Sequence, residues 1–336
     1  MNGVSVSKYG GAELLDYGTL ADPSVANNQV LIEMRAASVN FADINARKGD
    51  YHLGRSLPFT PGLDLAGVVR ETGKEVKNIK PGDHVIAFPA SGSYAELAIA
   101  SQSLTFVIPE QIDFQQAAAA ALVGGTVTYM LKYLAQITPE QRLLIHAAAG
   151  GVGTAAFQVA RALGISQIYG SSSSPWKHPQ IQSYGVQAIV DYREPSYPEI
   201  IMEVSENKGA DVILNPLGGS TVQTDLQCLA PFGRLVLFGE LSKESTSLPP
   251  AGLYTTNKTI IGASFGHLRK NQPDEAAMVI QDVIEMLADG RLKMSIDRSL
   301  PLSEAARAHQ LLEDQGAVGK IVLVPDQFLE RESEIS

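Results

Sequence analysis

The run Leu143-Leu144-Ile145-His146-Ala147-Ala148-Ala149-Gly150-Gly151-Val152-Gly153, continuing through Thr154-Ala155-Ala156-Phe157-Gln158-Val159-Ala160-Arg161, constrains the fold more than any other segment. Leu143-Leu144-Ile145 is a short apolar stretch of the kind buried in a parallel sheet, and Val152, Ala156, Val159, Ala160 and Leu163 then recur at helical spacing. A glycine turn joins the two. Gly150 lets the backbone approach a pyrophosphate, Gly151 and Val152 open the helix, and Gly153 permits close packing of helix on strand. The helix N-terminus adds unpaired N–H groups and a partial positive charge. A glycine turn alone can also be a mere tight connection, and Ala148 stands where the usual pattern has its first glycine. Strand before and helix after favour a dinucleotide site.

A length of 336 residues exceeds what one core usually supports, so two domains are expected. The apolar fraction of 45% implies a well-filled core, and no segment is expected to reach the roughly 20 apolar residues of a membrane span. Met1-Asn2-Gly3-Val4 has no basic region followed by an apolar one, so no secretory signal is expected and a soluble, cytoplasmic protein is. A net charge of −10 argues against nucleic acid or anionic membrane as the main partner. Cys228 is the single cysteine, which rules out an internal disulfide and every multi-cysteine zinc site.

The texture changes along the chain. Residues 1–122 alternate short apolar runs (Gln29–Met34, Leu65–Val69, His84–Phe88, Ala95–Ile99) with turn formers such as Pro81-Gly82-Asp83, predicting a twisted, largely antiparallel β domain. An alanine-rich stretch, Ala117–Leu134, predicts a helix leading into a second domain, 123–264. There, strands over Leu143–His146, Gln167–Gly170, Ala188–Val190, Asp211–Leu214, Arg234–Phe238 and Thr259–Ile261 alternate with helices, predicting an α/β doubly wound parallel sheet. Residues 265–325 hold two helices, Asp274–Asp289 and Ser303–Glu313, and a strand, Lys320–Val324; they are expected to return to the first domain. Residues 326–336 read as a frayed polar tail.

This order of pieces, with the glycine turn in mid-chain, resembles the medium-chain dehydrogenase/reductase superfamily over residues 1–325. Asn40-Phe41-Ala42-Asp43, continuing through Ala46-Arg47-Lys48-Gly49 to Tyr51, is similar to its zinc-independent quinone and enoyl reductase branch. So are Asp211–Gly219 and the ending Val318–Pro325, which look like vesicle amine transport 1 proteins; polyketide synthase enoyl reductase domains share an N-F-x-D segment and the glycine turn. The resemblance implies a GroES-like β-rich catalytic domain beside a Rossmann domain. Where zinc alcohol dehydrogenases of the superfamily carry G-H-E, this chain has Gly62-Leu63-Asp64, and their four-cysteine lobe is missing. No metal is expected. The six histidines are scattered and read as surface or core residues, His146 beside the turn being the least settled.

NADPH is the expected cofactor. Binders of NAD place an acidic residue after the second strand, where this chain has Ser171-Ser172-Ser173-Ser174. Ser172 and Ser173 can donate to a 2′-phosphate and Lys177 can offset its charge, the alternative being a solvated loop with a stray lysine. In the resembling quinone reductases a lysine and the tyrosine of an N-Y-R-E segment bracket that phosphate, and Lys177 and Tyr192 match them. The resemblance also implies cofactor contacts at Asn40, Thr126, Asn215, Leu217, Phe238, Gly239, Phe265 and Lys320, each of which could instead be packing or capping.

Reduction of a conjugated C=C bond needs a hydride at the β-carbon, a hydrogen-bond donor to the developing enolate oxygen and a proton at the α-carbon. Tyr51 is the candidate donor, and Asn40 the candidate contact to nicotinamide ribose or substrate; Tyr51 could equally anchor its loop, and Asp43 is expected to brace that loop. Glu240 stands where polyketide enoyl reductases have a lysine, which counts against importing their protonation step. A synthase domain acting on a carrier-bound acyl chain and a non-catalytic NADPH-binding protein stay open as alternatives. A homodimer is expected from the apolar edge run Thr259–Ala263.

Overall fold

The computed structural model describes residues 1–50, 56–248 and 250–333, and the side chains of these through 329. Two compact units divide the chain: Met1–Gly125 with Gly266–Ser336, and Thr126–Phe265. In chain order the strands are β1 (Asn2–Val6), β2 (Leu15–Thr19), β3 (Gln29–Val39), β4 (Leu65–Thr72), β5 (His84–Ala87), β6 (Leu97–Ser101) and β7 (Thr105–Val107) of the first unit. The second unit holds β8 (Arg142–Ile145), β9 (Gln167–Ser171), β10 (Ala188–Val190), β11 (Ala210–Asn215), β12 (Leu229–Leu237) and β13 (Thr259–Gly262). β14 (Ile296–Pro301) and β15 (Lys320–Val324) complete the first.

The first unit is a seven-stranded sheet in the order β14-β15-β3-β4-β5-β7, with β6 also on β3 and β1-β2 a separate ribbon. Most of its pairings are antiparallel, β14 with β15 being parallel. β3 alternates buried and half-buried residues from Val30 to Met34, the period-two signature of a strand with one face in the core, and Val30, Ile32 and Met34 are fully buried. Two registers bring polar residues together at the end of β3. Ile321 pairs with Val39, so Lys320 opens β15 beside Asn40; Leu65 pairs with Ala37, which puts Asp64 beside Ser38.

The second unit is a six-stranded sheet in the order β10-β9-β8-β11-β12-β13, every pairing parallel. Renumbered within the unit this is 3-2-1-4-5-6, a doubly wound sheet whose order reverses at β8 and β11. Leu143, Leu144, Ile213 and Leu214 are fully buried in its centre, as a strand covered on both faces requires. The predicted strands are all present, and the fold is mixed α/β as expected.

Two expectations need correction. Phe114–Leu134 is a continuous 21-residue helical stretch, ending in a π-helical turn, whose mean hydropathy of 1.2 does meet the length and apolarity of a span. Two-thirds of its apolar window is buried inside the protein, where alanines can pack closely, so it is a core helix. The tail is not frayed over its first part either. Asp326–Ser333 is helical, and Phe328 lies under the guanidinium of Arg35 at 4.2 Å.

Candidate functional site

The glycine turn begins at the end of β8. Gly150 is the N-cap of the helix Gly151–Ala162, whose first N–H groups have no partner within the helix. A Cβ at Gly153 would come within 2.4 Å of the carbonyl oxygen of Ala148, so this position must be glycine for helix and strand to meet. At Gly150 a Cβ would meet only the Ala147 oxygen, at 3.4 Å, and the residue is exposed: the backbone there is open to a ligand. Ala148 stands in the place of the usual first glycine, and the residue before it, Ala147, takes the left-handed backbone with φ 51°.

Beside it, β9 ends in the serine turn. Ser172 Oγ accepts the N–H of Ser174 at 3.2 Å, which curls the turn. The hydroxyl of Tyr192, after β10, donates to Ser173 Oγ at 2.9 Å, and Arg193 donates to the Ser173 carbonyl at 2.7 Å. Lys177 is 8% exposed, with its ammonium 4.9 Å from the ring centre of Trp176. Ser172, Ser173, Lys177 and Tyr192 therefore belong to one structural corner, and no acidic side chain stands within the serine turn itself.

Beneath this surface lies a polar network that the sequence did not disclose. Asp225, fully buried on the helix Thr221–Cys228, lies 2.7 Å from Nε2 of His146 and accepts from the Tyr197 hydroxyl at 2.6 Å and Asn215 Nδ2 at 2.6 Å. His146 Nδ1 meets Ser171 Oγ at 2.6 Å. With Nε2–H directed at the carboxylate, Nδ1 accepts the serine proton. The burial of Tyr197 and its nearness to Asp225 push its phenol far above the usual range. The network ties the ends of β8, β9 and β11 to two helices, so it fixes that edge of the sheet.

Asn215, an expected cofactor contact, has its side-chain amide engaged by its own loop and the helix after it. Its Oδ1 accepts the N–H groups of Leu217 and Gly218 at 2.7 and 3.0 Å, while Nδ2 serves Asp225 and Thr221. Both donors and both acceptors of the amide are in use, so Asn215 shapes the loop and its side chain has nothing left to offer a ligand. Leu217 is buried on that loop, Phe238 half-buried and Gly239 exposed after β12. Phe265 is buried with its ring 6.4 Å from that of Tyr129, and Thr126 is half-buried on the long helix.

In the first unit the N-F-A-D segment is not a loop but the start of a helix, Phe41–Lys48, with Asn40 as its N-cap. Asp43 Oδ2 accepts the Asn40 N–H at 2.9 Å, the returning half of a capping box, so Asp43 braces a helix. Asn40 is also the hub of a buried cluster. Lys320 Nζ donates to its Oδ1 at 2.6 Å and to the Val39 carbonyl at 2.9 Å, and its Nδ2 donates to Asp64 at 2.8 Å. Ser38 Oγ and the Leu122 N–H satisfy Asp64 further. Lys320, expected to reach a cofactor, is 3% exposed and holds Asn40.

A second chain of contacts leaves Asp43. Tyr94 OH lies 3.4 Å from Asp43 Oδ2 and 3.2 Å from His309 Nε2; Arg47 lies 3.5 Å from His309 Nδ1 and pairs with Glu313 at 2.8 Å. Arg47 cannot give up its proton, so it holds His309 as the Nε2–H tautomer, whose proton faces Tyr94 and leaves the tyrosine's own proton for Asp43. Burial, then the negative charge of Asp64, pushes Asp43 up to about 7. Burial and the Arg47 charge push His309 down to about 3. Burial raises the Asp64 carboxyl and lowers the Lys320 ammonium from their ordinary values. Tyr51, the expected proton donor, lies outside the described residues.

Among the described residues no three of His, Cys, Asp and Glu gather where they could hold a metal ion. Cys228 is buried in the second unit's core, and burial raises its thiol well above the ordinary value.

Residues 26–130 match the family of alcohol dehydrogenase GroES-like domains, and residues 151–285 that of zinc-binding dehydrogenases. The quinone oxidoreductase of Sus scrofa is 33% identical over 327 residues, covering 96% of this chain and 98% of that protein. The chain belongs to the medium-chain dehydrogenase/reductase superfamily. Its place is the quinone oxidoreductase and enoyl reductase branch, and it is an oxidoreductase. Two solved structures of the superfamily share its fold. The Escherichia coli quinone oxidoreductase complexed with NADPH superposes with a TM-score of 0.88 at 31% identity, covering 97% of this chain and 100% of that one. The CurK enoyl reductase gives 0.87 at 28%, covering 96% and 99%.

Proposed function

We propose that the protein is a zinc-independent reductase that uses NADPH to reduce an electron-poor C=C bond or a quinone, with an enone, enoyl thioester or quinone as substrate. The observation that carries the cofactor reading is the corner formed by Ser172, Ser173, Lys177 and Tyr192, a set of hydroxyls with the Lys177 cation, beside which Arg193 pairs with Asp191, and with no acidic residue in the serine turn itself. Such a set suits a 2′-phosphate and lacks the carboxylate that a ribose 2′-hydroxyl calls for. The open backbone at Gly150 and the N-terminal N–H groups of Gly151, Val152 and Gly153 would hold the pyrophosphate.

When bound, NADPH supplies the hydride. The chain's own groups do the rest. Thr126, Leu217, Phe238, Gly239 and Phe265 would border the nicotinamide end, and Asn40, its amide fixed by Lys320 and Asp64, would orient ribose or substrate. Tyr51 would donate to the oxygen or α-carbon as negative charge develops, as a tyrosine of ordinary pKa near 10 can at neutral pH. Leu63-Asp64 and the buried thiol of Cys228 give the donor set no resemblance to a catalytic zinc site, which supports the zinc-free reading.

The likeness to CurK favours an enoyl thioester as the second substrate class, while Glu240, exposed after β12, departs from lysine-assisted protonation. Following NADPH oxidation with a quinone, an enal and an enoyl thioester tests the proposal. Turnover of one class above the others names the substrate, and tight NADPH binding with no turnover of any would leave a cofactor-binding protein without catalysis.

A further inference from the structure

Trp176 is the only tryptophan of the chain and is 60% exposed, in the short turn Pro175–Lys177 that closes the serine corner. A single exposed aromatic residue needs no explanation in itself. Its neighbour gives it one. The Lys177 ammonium lies 4.9 Å from the ring centroid, within cation–π range, while Lys177 itself is almost wholly buried. The guanidinium of Arg193, the other cation of this corner, pairs with Asp191 at 2.6 Å and donates to the Ser173 carbonyl at 2.7 Å, and it is 61% exposed. Arg193 thus braces the turn's backbone. Lys177 is the cation set against a ring.

Resting on the NADPH reading, we propose that Trp176 is the positioning residue for Lys177: its ring holds the ammonium at the serine turn, sharpening selectivity for a 2′-phosphate, and its emission registers that phosphate. The physical reason is desolvation. An ammonium lying over an indole has surrendered part of its water before a ligand arrives, so it loses less on meeting a phosphate dianion. A ligand without the phosphate gains nothing from this arrangement, which makes the effect one of selectivity.

Calorimetric titration of the intact protein with 2′,5′-ADP and with 5′-AMP, beside tryptophan emission, tests it. The parent should prefer 2′,5′-ADP at least about tenfold, a 1.4 kcal/mol difference, and change its emission much more with it. Trp176→Leu should lose about threefold of 2′,5′-ADP affinity, the size of an exposed cation–π contact, and bind 5′-AMP as before. Trp176→Phe, which keeps a ring, should recover most of the loss. A parent that discriminates while Trp176→Leu discriminates equally, or an emission that saturating 2′,5′-ADP leaves unchanged, overturns this role and leaves the NADPH reading intact. A parent that binds both nucleotides equally overturns both.

Discussion

The Lys320 ammonium lies 2.6 Å from Oδ1 of Asn40, and that contact decides which way round the Asn40 amide sits. An ammonium only donates, so the oxygen must face it and the Nδ2 group must face the carboxylate of Asp64. Both partners of Asn40 are buried and of opposite charge. Lys320→Met should therefore leave an uncompensated carboxylate and lower unfolding stability by about 3–5 kcal/mol, measured by denaturant titration. A loss under about 1 kcal/mol would mean that Asp64 is held neutral without the lysine.

Asp43 and His309 should give opposite pH dependences. Asp43 titrates near 7 when folded against an ordinary 3.8, so the native state binds more protons between those values, and Asp43 takes away stability as pH rises from about 4 to 7. His309 titrates near 3 against an ordinary 6.5; its contribution is present above 6.5 and lost as pH falls toward 3. Asp64, Lys320, Tyr94, Arg47 and Glu313, the other groups of these chains, stay in place in both variants. Relative to the parent, Asp43→Asn should gain melting temperature as pH rises from 4 to 7, and His309→Gln should gain as pH falls from 6.5. Same-signed slopes would refute the assignment.

Lys177→Met should cost NADPH affinity selectively. If Lys177 meets the 2′-phosphate, the variant loses most of a preference of at least about tenfold, or roughly 1.4 kcal/mol, while NADH binding changes little. Calorimetric titration with both cofactors measures this, and an equal loss for the two would assign Lys177 a role in the turn alone.

Legibility in the sequence falls with distance along the chain. The parallel sheet was legible because each strand, such as Leu143–Ile145 or Ala188–Val190, is a short apolar run bounded by turn formers, and the glycine turn marks its start. That Tyr192 comes near the turn carrying Lys177 could be expected through the resemblance, though not its bond to Ser173. The Asn40 cluster and the His146–Asp225 network could not. Lys320 is 280 residues from Asn40 and Arg47 is 262 from His309, and such pairs leave no local period or motif; the register of β15 on β3 brings the first pair together and the meeting of two helices the second. The helix at Phe41 is faint in the sequence although Asn40 and Asp43 carry a capping signal, because its 8 residues make little more than two turns, too few for a period to stand out.

Metal independence is expected from Leu63-Asp64 and the buried Cys228. Elemental analysis should find no stoichiometric zinc, and chelator should leave the rate of NADPH oxidation unchanged. One tightly bound equivalent of metal, or a rate lost to chelator and restored by zinc, would remove the protein from the zinc-free reading.

β13 forms one edge of the parallel sheet, and an open edge carrying Ile260 and Ile261 invites a second copy. A homodimer is the expected state by light scattering at micromolar concentration. A monomer mass there would end the edge-pairing idea.

The last prediction concerns the proton. Hydride addition leaves negative charge on the carbonyl or quinone oxygen, and a tyrosine with an ordinary pKa near 10 is protonated at neutral pH and able to answer it. Tyr51 follows the Asn40-Phe41-Ala42-Asp43 segment at the position where the resemblance places such a tyrosine. Tyr51→Phe keeps the ring and removes the hydroxyl, so NADPH affinity should hold while kcat falls about 10²-fold, the low end for loss of a general acid. The split between the two constants carries the test, since a tyrosine that merely anchored its segment would disturb binding as well. If the variant reduces enone, enoyl thioester and quinone at the parent rate, the proton comes from water or the ribose hydroxyl.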